Sequence, residues 1–243
     1  MRFRRLLHLT LALLTARRPL LVAQTVALGI KVGVEATHPV QTSPPYARGS
    51  VSRGVIGPVF EVALPRAFAF EASALRKRAE YRQSTRNISV FTRIGQEQES
   101  ETTAHSWEVP LVLKKYVAVG NSARAYGDAG FSLRHTSGTT HVNGFNLEVL
   151  FPGPPGPGPP GPRLPIVMRT TPFSFDQNPS ELNKDWIGGL ALGGGLDFKL
   201  GFVGLQPELR YTRWSSEAFR SPDGSLRSNR NSLDVLFGVT FRK

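Results

Sequence analysis

The 243 residues include no cysteine, which excludes disulfide cross-links and thiolate metal sites. No stretch reaches 18 apolar residues, so no transmembrane helix is expected. There is no basic helix and no run of five or six basic residues, although the net charge is +12. Scattered arginines suit a surface that faces anionic lipid head groups, and nucleic acid is not expected as a partner. No Gly-Lys-Ser/Thr and no helix follow "GGLALGGG" at 188–195, so it is not a phosphate loop. It reads as a strand thinned where a close side chain or a bulge needs room. The run "PGPPGPGPPGP" at 152–162 lacks glycine at every third position, because Gly156 and Gly158 are only two apart. A triple helix is thereby excluded.

What the chain does have begins with a leader. Arg2, Arg4 and Arg5 precede an apolar run from Leu6 to Ala16, too short to span a bilayer and suited to a signal-peptide core. A signal peptide over residues 1–23 is expected, with cleavage after Ala16 or Ala23. Beyond it the dominant period is two. Val26, Leu28, Ile30, Val32 and Val34 oppose Lys31 and Glu35; Phe60, Val62 and Leu64 oppose Glu61; Phe68 and Phe70 oppose Glu71. Trp107, Val109, Leu111 and Leu113 oppose Glu108 and Lys114; Ala129, Phe131 and Leu133 oppose Asp128 and Arg134. Leu190, Leu192, Leu196 and Phe198 oppose Asp197 and Lys199; Leu205, Leu209 and Tyr211 oppose Glu208 and Arg210; Leu233, Val235, Phe237, Val239 and Phe241 oppose Asp234. These are eight strands. The third, "FEASALRKRAEYR", is rich in helix formers but pairs naturally with its predecessor through a short turn.

A soluble sandwich would alternate too. Two patterns point instead to a membrane barrel. Connections alternate between long (37–50, 81–103, 138–185, 215–229) and tight ("LPRA", "AVGNSA", "KLGFVG"), as in outer-membrane barrels. Trp107, Trp186 and Trp214 fall at the long-loop rim, and Tyr116, Phe202 and Phe241 near the other, which predicts two aromatic girdles. The expected class is all-β: an eight-stranded antiparallel up-and-down transmembrane barrel over residues 24–243. The proline run then lies in the longest loop, as a polyproline II spacer in water between strands of one sheet.

Through "GIKVGVEAT", "GPVFEVALP", "WEVPLVLKKY", "LQPELRYTRW" and "DVLFGVTF" the chain resembles the small eight-stranded bacterial outer-membrane β-barrel family of the OmpA and OmpX type. The resemblance covers about Thr25 to Lys243 apart from the proline insert. It implies a monomer in the bacterial outer membrane, among lipids and lipopolysaccharide, delivered by the barrel-assembly machinery. Family members generally end on an aromatic assembly signal, and Phe241 resembles it, although Arg242 and Lys243 follow. No cofactor and no metal are implied.

An eight-stranded barrel has an interior just wide enough for side chains. Lys31, Glu35, Glu61, Glu71, Glu108, Asp128, Arg134, Asp197, Lys199, Glu208, Arg210 and Asp234 are therefore expected to form a polar network in the lumen, paired because lone buried charges are costly. That reading gives a plugged barrel acting through its extracellular loops, in surface interaction, adhesion or envelope integrity. The alternatives are a narrow ion-conducting pore and a barrel enzyme modifying lipid or peptide at the rim. For the enzyme, Ser132, His135 and Asp128 could supply a nucleophile, base and acid, but no motif fixes their geometry. His105, His135 and His141 lack metal spacing. A soluble ligand-carrying barrel would need an apolar interior, which the inward charges oppose.

Overall fold

Along residues 26–35 the apolar side chains are the exposed ones. Leu28, Ile30 and Val34 are each more than half exposed, whereas Lys31 is 0% exposed and Glu35 is buried. This inverts the rule for soluble sheets, in which apolar residues face the core. It is the arrangement lipid demands: hydrocarbon accepts the apolar face, and charge is withdrawn to the inside.

The structure is a computed structural model that describes residues 25–48, 53–89, 94–120, 122–150 and 167–242. The expected leader at 1–23 and the proline run at 152–162 lie outside the described residues. The strands are β1 (Val26–Glu35), β2 (Val40–Thr42), β3 (Tyr46–Arg48), β4 (Gly54–Leu64), β5 (Phe68–Ser73), β6 (Leu75–Ser89) and β7 (Ile94–Ala118). They continue with β8 (Ala123–Leu150), β9 (Val167–Gln177), β10 (Trp186–Leu200), β11 (Val203–Trp214), β12 (Leu226–Ser228) and β13 (Asn231–Arg242).

Pairing is antiparallel throughout. It runs β1–β4–(β5, β6)–β7–β8–β10–β11–β13, and β13 returns to β1, with Ile30 opposite Val239. β5 and β6 keep one register against β7, from Phe68↔Lys115 to Leu75↔Glu108, so they form a single wall strand interrupted at Ala74. The eight walls close into a barrel without a free edge in the membrane, where unpaired backbone groups would be costly. Gly57 permits the interruption, since a Cβ there would stand 1.7 Å from the Ala74 carbonyl oxygen.

One end carries tight connections at 65–67 and 201–202, and there too only four residues separate the end of β7 from the start of β8. At the first, Arg66 and Ala67 both have positive φ as the central pair of a β-turn closed by the Phe68 amide on the Pro65 carbonyl (3.5 Å), the left-handed pair that matches strand twist. The other end departs from expectation. Within the segments 81–103 and 138–185, expected as loops, residues 81–89, 94–103, 138–150 and 167–177 are strand: β6 and β7 pair out to Ser89↔Ile94, and β8 pairs with β9 out to Leu150↔Val167. These segments carry Thr, Val, Ile and Phe, which favour strands, but they leave the lipid, so the apolar alternation that marks a wall strand is lost. The segments 37–50 and 215–229 contribute β2 and β12, which pair with each other across the mouth.

Candidate functional site

Inside the barrel, charged side chains stack in layers. At the tight-turn end Asp197 accepts from Arg124 and from Arg242 (2.5 Å). Above it Glu61 takes the Lys114 ammonium (3.1 Å) and the Tyr116 hydroxyl (2.9 Å), while Gln206 also accepts from Lys114 (3.2 Å). Glu71 forms the hub of the middle layer. It pairs with Lys31 (2.5 Å), Arg210 (2.8 Å) and Lys114, and Lys31 and Arg210 also reach Glu208 (2.6 and 2.5 Å). The Tyr126 hydroxyl donates to Glu208 (2.9 Å). Towards the long-strand end Lys77 joins Asp234 (2.8 Å) to Glu108 (2.9 Å), and Arg134 donates to Glu108 (2.7 Å). Glu35 accepts from Ser232 (2.9 Å).

The upper mouth holds a different chemistry. Val40, Tyr46, Tyr81, Trp214, Phe219 and Leu226 pack into one apolar cluster under the β2–β12 pair. Within it the hydroxyls of Tyr46 and Tyr81 donate to Glu181 (3.0 and 3.2 Å). Burial and this carboxylate push the Tyr46 phenol well above its ordinary value.

A family model of the outer membrane protein beta-barrel domain matches residues 22–213. The chain belongs to this family. It is a bacterial outer-membrane β-barrel, with its short turns on the periplasmic side and its long strands outside. Among solved structures it is similar to the N-terminal β-barrel domain of Pseudomonas aeruginosa OprF, at 10% identity over 90% of this chain and 97% of that one, with a TM-score of 0.42. It is also similar to Neisserial surface protein A (11%, 89% and 96%, 0.41) and to Ail, the attachment invasion locus protein of Yersinia pestis (10%, 90% and 99%, 0.35). No curated protein matches it in sequence.

Lys31, Glu35, Glu61, Glu71, Glu108, Asp128, Arg134, Asp197, Glu208, Arg210 and Asp234 all lie buried in the lumen. Lys199 does not join them; it is exposed at the periplasmic mouth, because the strand has reached water there. Asp128 is buried against Gly193, where a Cβ would stand 2.7 Å from its Oδ1. The glycine-rich strand is thinned for such neighbours: Gly189 makes room for Trp214 and Gly195 for Tyr126. Lys77, Lys114, Arg124, Gln206 and Arg242 are network members that the sequence reading left out. Alternation already puts Lys114 on the face of Glu108; Lys77 is masked by its basic neighbours Arg76 and Arg78 on the opposite face.

Two girdle assignments are corrected. Trp214 is 0% exposed, with the Arg134 guanidinium 3.8 Å from its ring centre, and Tyr116 is 4% exposed beneath Arg124. Both have the height of a girdle residue but the parity of the lumen face. Trp107 and Trp186 face outward at the extracellular rim, and Phe202 and Phe241 stack 6.4 Å apart at the periplasmic rim.

The candidate nucleophile, base and acid are not brought together. Ser132 and Asp128 point into the lumen, whereas His135 points outward and stacks on Trp186 at 4.6 Å. An odd spacing along one strand puts His135 on the other face. His105 stands half-buried on the outer wall, and His141 is exposed beside Asp176 (2.6 Å) on the projecting sheet. Among the described residues, no cluster of three His, Asp or Glu side chains is arranged to hold a metal.

Proposed function

We propose that the protein is a surface-interaction barrel: the ion-paired lumen is a plug, and the working surface is the sheet that β6, β7, β8 and β9 raise above the membrane. The length of these strands carries the reading. β7 has 25 residues and β8 has 28, whereas about 9–11 suffice to cross a bilayer. At about 3.4 Å per residue β8 is roughly 95 Å long, so most of it stands in water. Building that sheet orders many residues at considerable entropic cost, which a protein acting only as a membrane plug does not need.

The projecting faces are polar, with ion pairs between Arg82 and Glu101 (3.1 Å) and between Arg86 and Glu97 (3.8 Å). Phe173 and Phe175 interrupt them with a stacked aromatic pair, and Phe175 is 48% exposed. A rigid polar surface with a central aromatic anchor suits recognition of another macromolecule.

The register supplies a clean test. Gln83 lies opposite Ser100, and His141 opposite Asp176, so each hairpin can be cut there and closed by Asn-Gly without disturbing the wall. Cells displaying the shortened barrel should keep its heat-dependent gel mobility but lose most of their adherence to cell monolayers and protein-coated surfaces. Unchanged adherence of the shortened form, or none for the full-length form, would refute the proposal.

A further inference from the structure

Where the lipid belt ends on the outer side, the outward row of the register runs Ile56, Arg76, Trp107, His135 and Trp186 across β4, β6, β7, β8 and β10. The next outward pair above it on β6 and β7 is Arg78 and His105. A groove of about 250 Å³ opens in the wall at this level, lined by Gly54, Ile56, Arg76, Lys77, Arg78 and His105. The charges in it are unevenly used. The Lys77 ammonium is turned inward to Glu108 and Asp234, so only its stem lines the groove. Arg78 is half exposed and gives one nitrogen to Glu80. Arg76 forms no ion pair among the described residues, and His105 Nδ1 is buried without a hydrogen-bond partner. Below the groove the wall is apolar, with Ile56, Phe60 and Phe70 exposed.

We infer that this groove holds a phosphate-bearing lipid head group of the outer leaflet, with Arg76 and Arg78 on the phosphate oxygens and Ile56 under the start of an acyl chain. Guanidinium forks match phosphate with paired, charge-assisted hydrogen bonds. Next to the hydrocarbon the site is poorly screened by water, so an unneutralised arginine there is costly unless an anion joins it. Gly54 carries no side chain to block the entrance, and the apolar floor has no use for a soluble anion. The inference rests on the outer-membrane placement and is independent of the role of the projecting sheet.

Native mass spectrometry of the folded barrel in zwitterionic micelles tests it, using phosphatidic acid and phosphatidylcholine with identical chains as probes. Wild type should retain one phosphatidic acid about tenfold more strongly than phosphatidylcholine, the factor expected from a pair of charge-assisted bonds. Arg76→Gln with Arg78→Gln should abolish the difference. Arg76→Lys with Arg78→Lys, which preserves charge and surface, should lose most of it, because the planar fork is gone. Arg213→Gln, a rim arginine outside the groove, should change nothing. Heat-dependent mobility verifies the fold of each variant. Full retention by either double variant, or an equal loss in Arg213→Gln, would overturn the site in favour of diffuse charge. Displacement by millimolar inorganic phosphate would also overturn it, because the groove would then be taking a soluble anion.

Discussion

Glu71 carries more of the lumen than any neighbour, because three cations from three strands converge on its two oxygens. Glu71→Ala would leave Lys31, Lys114 and Arg210 buried and short of a partner. Breaking such a pair from one side costs roughly 3–5 kcal/mol, so reversible urea unfolding in micelles should show a loss at least that large. A near-neutral result would mean that water reaches the middle layer. In the extracellular loop 215–230 a second carboxylate makes a pH prediction. Asp223 accepts from Ser221 Oγ (2.6 Å), Ser225 Oγ (2.7 Å) and the Ser225 amide (3.1 Å), which lowers its pKa from 3.8 to about 2. Since the folded value is the depressed one, the stabilisation of this turn is complete above pH 3.8 and fades as the pH falls through about 2. NMR titration of its carboxyl carbon should give that low midpoint; a midpoint at the ordinary value would show that the turn is open. At this scale legibility followed parity. Glu61, Glu71, Glu108 and Glu208 could be read from alternation alone, whereas Trp214 and Tyr116 were misread because height was weighed and face was not.

The elements differ in how openly their residues declare them. Within the lipid each wall strand has two solvents, hydrocarbon outside and a polar lumen inside, and the contrast writes period two into the chain. Outside the membrane one face of β7 and β8 meets water and the other buries mostly polar or small side chains such as Ser100, Thr102 and Thr140, so the contrast fades while the strands persist. That is why residues 81–103 and 138–185 read as loops. The same physics explains the break at Ala74: it is set by a close backbone approach at Gly57, which no hydrophobic pattern records. The first periplasmic turn offers a test at this level. Arg66 and Ala67 hold φ of 63° and 61°, a region that side chains with a Cβ enter at a cost of roughly 1–2 kcal/mol each. Arg66→Asn with Ala67→Gly supplies the preferred pair for this turn and should stabilise the barrel by about 1 kcal/mol in urea, after the entropy of the added glycine is subtracted. The Lys115 ammonium, which donates to the Arg66 carbonyl (2.6 Å), uses only backbone and should be unaffected. Destabilisation by the double change would contradict the strained-turn account.

For the whole molecule, the exposed surface sorts by depth. The middle of the wall presents Leu, Val, Ile and Phe, the extracellular rim adds Trp107 and Trp186, and the projecting sheet is polar. The interior sorts the other way, from ion-paired layers to the apolar cap of Trp214, Phe219 and Leu226. On this account the layers and the cap act in series, and an ion would have to break several buried pairs and part the cap to pass. The most direct test is single-channel recording of the purified, folded protein in planar bilayers. The account predicts a silent membrane, without stable conductance steps at any voltage the bilayer tolerates. Large, long-lived openings from the unmodified protein would contradict it, because a lumen closed by these charges has no continuous path for ions.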